Sequence, residues 1–140
     1  MRKGKFSASY TVRLLVSYRE RDDENLQKLI ETLLNRANMR VVKAMTATEA
    51  AQVLKQRPLP SLIVLDLMLP DVSGIEFLKQ MRTRSVFDEL PVVILSSLAD
   101  TDQIREGLAA GADRYLTKPY LANNLVTTVQ EVLRMGRKKS

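Results

Sequence analysis

Leu62-Ile63-Val64-Leu65-Asp66-Leu67-Met68-Leu69-Pro70-Asp71-Val72-Ser73-Gly74 is the stretch that decides the fold. Four consecutive apolar residues, without the alternation of a half-exposed strand, mark a strand buried on both faces. The run ends on a single carboxylate, Asp66, and a turn containing Pro70, Ser73 and Gly74 follows at once. In an open parallel sheet, ligands bind at the carboxyl ends of the strands. The pattern therefore predicts Asp66 at a sheet edge, open to solvent and fixed in place.

Strand and helix patterns alternate on both sides of this stretch. Val12 to Val16 reads as a first strand, and Leu26, Leu29, Ile30, Leu33 and Leu34 share one face of a first helix. Asn38 stops that helix before a second strand, Met39 to Lys43. Thr46 with Glu49 forms a capping box for a second helix reaching about Gln56, and the third strand is Ser61 to Asp66. Ser73 with Glu76 is a second capping box, opening a third helix that carries Ile75, Phe77, Leu78 and Met81. The fourth strand is Pro91 to Leu95, and the fourth helix runs from about Asp100 to Ala110, closed by Gly111. Arg114 to Thr117 is the fifth strand, and the fifth helix carries Leu121, Leu125, Val126, Val129, Val132 and Leu133. Five β-α pairs with short connections predict one α/β domain over 11–136, a parallel sheet covered on both faces. Residues 1–10 and 137–140 read as basic tails.

Composition narrows the chemistry. A chain of 140 residues is most simply one domain with a core that needs no staples. It has no cysteine, which excludes disulfide frameworks, thiolate metal sites and cysteine nucleophiles. It has no histidine, which removes the commonest general base and transition-metal ligand. Carboxylates, hydroxyls, lysine and a hard, oxygen-seeking cation remain. No apolar stretch approaches the roughly 20 residues that span a bilayer, and no apolar signal region follows Met1-Arg2-Lys3-Gly4-Lys5. The expectation is a cytoplasmic protein without membrane contact. The net charge of +6 lies at the ends, in Arg2, Lys3, Lys5, Arg134, Arg137, Lys138 and Lys139. Without those seven charges the body stands at −1. Such tails are usually solvated, and nucleic-acid contact through them is the lesser reading, since aromatic residues are few.

Three further positions are predicted at the same edge as Asp66. Ser96 and Ser97 close the fourth strand, and Lys118 with Pro119 closes the fifth. Each is ordinary alone: strand-end acids often cap or turn, serine pairs are loop residues, and Lys-Pro is commonly a turn. Together, a carboxylate, a hydroxyl and an ammonium on one edge suit a small anion of high charge density, phosphate above all.

The chain resembles the receiver domain of two-component response regulators from about residue 11 to residue 135. The resemblance rests on Ile63 to Gly74, on Leu90-Pro91-Val92-Val93-Ile94-Leu95-Ser96-Ser97, and on Ala109-Ala110-Gly111-Ala112-Asp113-Arg114-Tyr115-Leu116-Thr117-Lys118-Pro119-Tyr120. It implies the flavodoxin-like doubly wound strand order 2-1-3-4-5, which is known for that family. It implies that Asp66 accepts a phosphoryl group from a histidine kinase or phosphotransfer protein, and that Lys118 and Ser96 hold the phosphate. Tyr115 would be the aromatic switch, and the Lys118-Pro119 bond would be cis. Mg²⁺ would be held by Asp66 and the Met68 backbone carbonyl. The fourth helix, fifth strand and fifth helix would present the output face to a downstream effector or a second copy. The resemblance implies a switch rather than an enzyme with a separate substrate. Met68 and Leu98 would place apolar side chains around the site, for which plain packing is the simpler reading.

The chain departs from that family pattern at the end of its first strand, where receiver domains carry two adjacent carboxylates. Counted forward from Leu14-Leu15-Val16, the two positions are Ser17 and Tyr18; counted back from the first helix, they are Arg21 and Asp22. The first loop, Tyr18-Arg19-Glu20-Arg21-Asp22-Asp23-Glu24, is therefore lengthened. Two readings stay open for Asp22 and Asp23: they fold back to the metal, or they begin the first helix, whose positive end favours them. The departure also keeps open a phosphorylation-independent interaction module on the same fold.

Overall fold

The computed structural model describes residues 12–17, 24–96, 100–117 and 122–137. Five strands and five helices alternate: β1 Val12–Ser17, α1 Glu24–Arg36, β2 Met39–Ala44, α2 Ala47–Leu54, β3 Leu62–Asp66, α3 Gly74–Arg82, β4 Val92–Ser96, α4 Thr101–Ala109, β5 Arg114–Thr117 and α5 Ala122–Met135. A 3₁₀ turn, Ser85–Phe87, lies between α3 and β4. The strands form one parallel sheet in the order β2-β1-β3-β4-β5, as the resemblance implied. Among the described residues no helix is long and apolar enough to cross a membrane.

The period-2 geometry of strands sorts the core into two layers. Leu15, Ile63, Leu65, Val92 and Ile94 face α2 and α3, where Ala50, Leu54, Leu78 and Met81 meet them. Leu14, Val16, Leu62, Val64, Val93 and Leu95 face the other way, against Ile30 and Leu34 of α1 and Leu125, Val129 and Val132 of α5. Every residue of β3 and β4 is buried, which is why their sequences do not alternate. Each such Leu, Ile or Val contributes about 1.5–3 kcal/mol by leaving water.

Local chemistry sets the ends. Asn38 adopts the left-handed conformation (φ 66°) that ends α1, and Gly111 (φ 119°) does so after α4. Helix α2 stops at Leu54, short of the expected Gln56, where Lys55 N donates to the Gln52 carbonyl and Gln56 N to the Val53 carbonyl in a tighter i→i+3 turn. Strand β4 is shifted to Val92–Ser96, while the Pro91 carbonyl still accepts from the Ile63 N–H. The capping boxes form on one side only. Thr46 Oγ1 accepts from Glu49 N (3.0 Å) and Ser73 Oγ from Glu76 N (3.1 Å). Glu49 Oε1 instead accepts from Met45 N, and Glu76 Oε2 from Gln80 Nε2.

At the amino end of the sheet, Asp113 gathers two cations. Its Oδ2 accepts from Val92 N (2.9 Å) and stands 3.6 Å from Arg82 Nη2; its Oδ1 accepts from Arg137 Nε (3.1 Å). Both guanidinium groups also donate to the Gly111 carbonyl. Burial, with Arg137 close by, lowers the Arg82 pKa to about 10, so it stays charged at neutral pH. Arg137 is thus not part of a solvated tail at 137–140, because a buried carboxylate holds it against the domain.

Candidate functional site

Asp66 ends β3 and Ser96 ends β4. The register pairs Asp66 with Leu95 and Ser96 with Thr117, so the carboxylate and the hydroxyl lie on adjacent strands at one edge. Ser17 ends β1 at the same edge.

Asp66 is not open to solvent as its position suggested: its exposure is 3% and that of Ser96 is 1%. Beyond Asp66 the chain returns at once over the strand end. Met68 N donates to Asp66 Oδ1 (2.8 Å), and Gly74 N donates to the Leu67 carbonyl (2.9 Å). Leu67 and Leu69 turn into the core while Met68 points outward, 45% exposed. The carboxylate is thereby fixed by its own turn.

Gly74 lets this turn close. A Cβ at that position would lie 2.6 Å from the Asp66 carbonyl oxygen and 2.7 Å from Leu67 Cα. Both are backbone atoms and cannot swing aside, so α3 can start against β3 only on a glycine.

Asp71 is a second feature that sequence reasoning missed. Its Oδ1 accepts from Ala47 N (2.9 Å), and its Oδ2 accepts from Thr48 N (3.0 Å) and Thr48 Oγ1 (2.9 Å). The loop after Asp66 is therefore stapled to the first turn of α2, where anionic groups are favoured. The Ala47 amide first, and Thr48 after it, hold the Asp71 pKa at about 2. Asp71 after Pro70 was a visible acid, but its partners lie 23 and 24 residues away and no periodicity links them.

Tyr115 on β5 is half-buried and packs against the α2/α3 core layer. Gly107 of α4 makes room for its ring, since a Cβ there would stand 3.1 Å from the ring carbons Cδ2 and Cε2. Lys118, Pro119, Tyr18, Asp22, Asp23, Ser97 and Leu98 lie outside the described residues, as do 1–10 and 138–140. Among the described residues no cluster of three His, Cys, Asp or Glu side chains could hold a metal. At the edge they offer the Asp66 carboxylate, a hard oxygen donor of the kind that suits Mg²⁺.

Comparison with known proteins agrees with this arrangement. A family model described as the response regulator receiver domain matches residues 21–130. The chain is 35% identical over 116 residues to the phosphate regulon transcriptional regulatory protein PhoB of Rhizobium meliloti (strain 1021), covering 83% of this chain and 51% of that protein. It is 34% identical over 119 residues to the transcriptional regulatory protein AfsQ1 of Streptomyces coelicolor, covering 85% and 51%. The chain thus spans about half the length of the curated relatives it matches. Its fold is similar to the receiver domain of the Francisella response regulator 1452, with a TM-score of 0.78, 31% identity, and 89% and 98% of the two chains covered.

Proposed function

The chain belongs to the response regulator receiver domain family, and from that premise we propose that Asp66 is the phosphoacceptor of a two-component signalling switch. The observation that carries this reading is the carboxylate fixed at the carboxyl end of β3, beside the Ser96 strand end. In the transfer, an Asp66 carboxylate oxygen forms a bond to phosphorus as the P–N bond to the donor's phosphohistidine breaks. The electron pair leaves with the imidazole nitrogen of a histidine kinase or phosphotransfer protein. The Lys118 ammonium and the Ser96 hydroxyl would each hold a phosphoryl oxygen.

Asp66 and the Met68 carbonyl would hold Mg²⁺, which needs only one or two carboxylates when phosphate and water complete its shell. Asp22 and Asp23 are the further carboxylates the sequence offers. When bound, the ion would neutralise charge between the acceptor and the incoming phosphoryl group. The aspartyl phosphate adds negative charge at the edge, Ser96 moves toward its oxygens, and Tyr115 turns into the vacated space. That biases an existing equilibrium in the α4-β5-α5 face, through which a downstream effector or a second copy reads the signal.

The test is labelling with radioactive acetyl phosphate and Mg²⁺. Label on the wild type that is absent from Asp66→Asn is expected. An unlabelled wild type, or equal label on the variant, overturns the reading. That result would favour the phosphorylation-independent module on the same fold.

A further inference from the structure

A groove of about 460 Å³ runs between α2 and α3. It exists because α2 presents small side chains, Ala47 and Ala51, toward the larger Phe77 and Met81 of α3. Leu54, Val86 and Phe87 extend the apolar lining, and Val86 is 47% exposed. Its charged lining residues carry one sign: Lys55, Arg57 and Arg84 line it, and no Asp or Glu does. Among the described residues these three cations form no ion pair.

Two of them are held in place. The Arg84 guanidinium lies 5.9 Å from the Phe87 ring centroid, and Arg57 Nη1 donates to the Leu54 and Gln56 carbonyls. Neither Asp66 nor Ser96 lines the groove.

We propose that this groove binds a free amphiphilic carboxylate, its apolar body lying between α2 and α3 and its head group on Lys55 and Arg84. The volume falls in the range of about 300–1,000 Å³ typical of small-ligand sites. Apolar side chains with a few polar ones, here Thr48, Lys55, Arg57, Gln80 and Arg84, are the usual composition of such a site. Three cations in the lining, none of them in an ion pair, select an anionic head, and a guanidinium matches a carboxylate in shape. Val72 also lines the groove, and its neighbour Asp71 caps α2. A bound ligand therefore touches the loop that follows Asp66.

The experiment is an amide NMR titration of the full chain with decanoate below its micelle concentration, with decanol as the neutral counterpart. Saturable shifts are expected at 47–57, at Val72 and at 77–87, with decanol binding at least about tenfold more weakly. The exposed double variant Lys55→Glu/Arg84→Glu should lose at least about tenfold in affinity. Ala51→Phe, which fills the groove from a helix surface, should abolish binding with the remaining spectrum intact. Should Ala51→Phe fail to fold, the charge reversal decides alone. Absent or non-saturable shifts, equal binding of decanol, or indifference to charge reversal overturns the proposal. So does binding only to anionic vesicles, or an acidic amphipathic peptide that outcompetes decanoate.

Discussion

Asp66 owes its placement to two residues that carry no phosphoryl chemistry of their own. Gly74 allows α3 to begin against the Asp66 and Leu67 backbone, and the clash that a methyl group would meet there is with main-chain atoms at 2.6 and 2.7 Å. Gly74→Ala should therefore cost about 1–3 kcal/mol, as overpacking does, in urea unfolding. Asp71 holds the far side of the same loop on the Ala47 and Thr48 amides. Its folded pKa of about 2 lies below the ordinary 3.8, so its contribution is full above about pH 4 and fades as pH falls through about 2. Asp71→Asn should melt at a lower temperature than the wild type at pH 7. The gap should narrow below about pH 4 and close near pH 2 in thermal melts followed by circular dichroism. A gap constant across that range would show that the carboxylate's charge is not what fastens the loop.

The elements themselves were largely legible, because each depends on a pattern within a dozen residues. The unbroken apolar runs of β3 and β4 stated their double burial, and the spacing of Leu125, Val129 and Val132 stated the inner face of α5. Asn38 and Gly111 marked helix ends through conformations that few other residues adopt. Relations between elements were not legible. The turn that fixes the Met68 amide on Asp66 folds back over the strand end, the Asp71 staple joins two β-α units, and the groove is the space left by unequal side chains on α2 and α3. Arg137 looked like tail charge because nothing near it in sequence announces Asp113. Where the pattern was clear, its energetic weight can be checked. Leu125 is 0% exposed at the centre of the α1/α5 layer. Leu125→Ala should cost about 3 kcal/mol in denaturant unfolding, with the m-value unchanged. A cost below about 1 kcal/mol would mean that α5 packs more loosely than its burial indicates.

Across the whole molecule the sheet separates two tasks. Its carboxyl edge carries Asp66 and Ser96, while its amino edge is tied by Asp113, Arg82 and Arg137. Strands of five residues, about 17 Å long, lie between them. The amino-edge cluster satisfies the Val92 amide and the Gly111, Phe87 and Asp88 carbonyls at once, closing the α3-β4 and α4-β5 connections and the end of α5 together. Removing its centre leaves two cations and a buried amide without their acceptor. Asp113→Ala should therefore cost about 3–5 kcal/mol, the penalty for orphaning buried charge. Arg137, a fifth exposed, is the lesser partner, and Arg137→Ala should cost only about 1 kcal/mol. Because that change lies a full strand length from Asp66, it should leave the rate and extent of the proposed acetyl-phosphate labelling there as in the wild type. A large loss of label in a stably folded Arg137→Ala protein would show that the two edges are coupled through the sheet rather than separated by it.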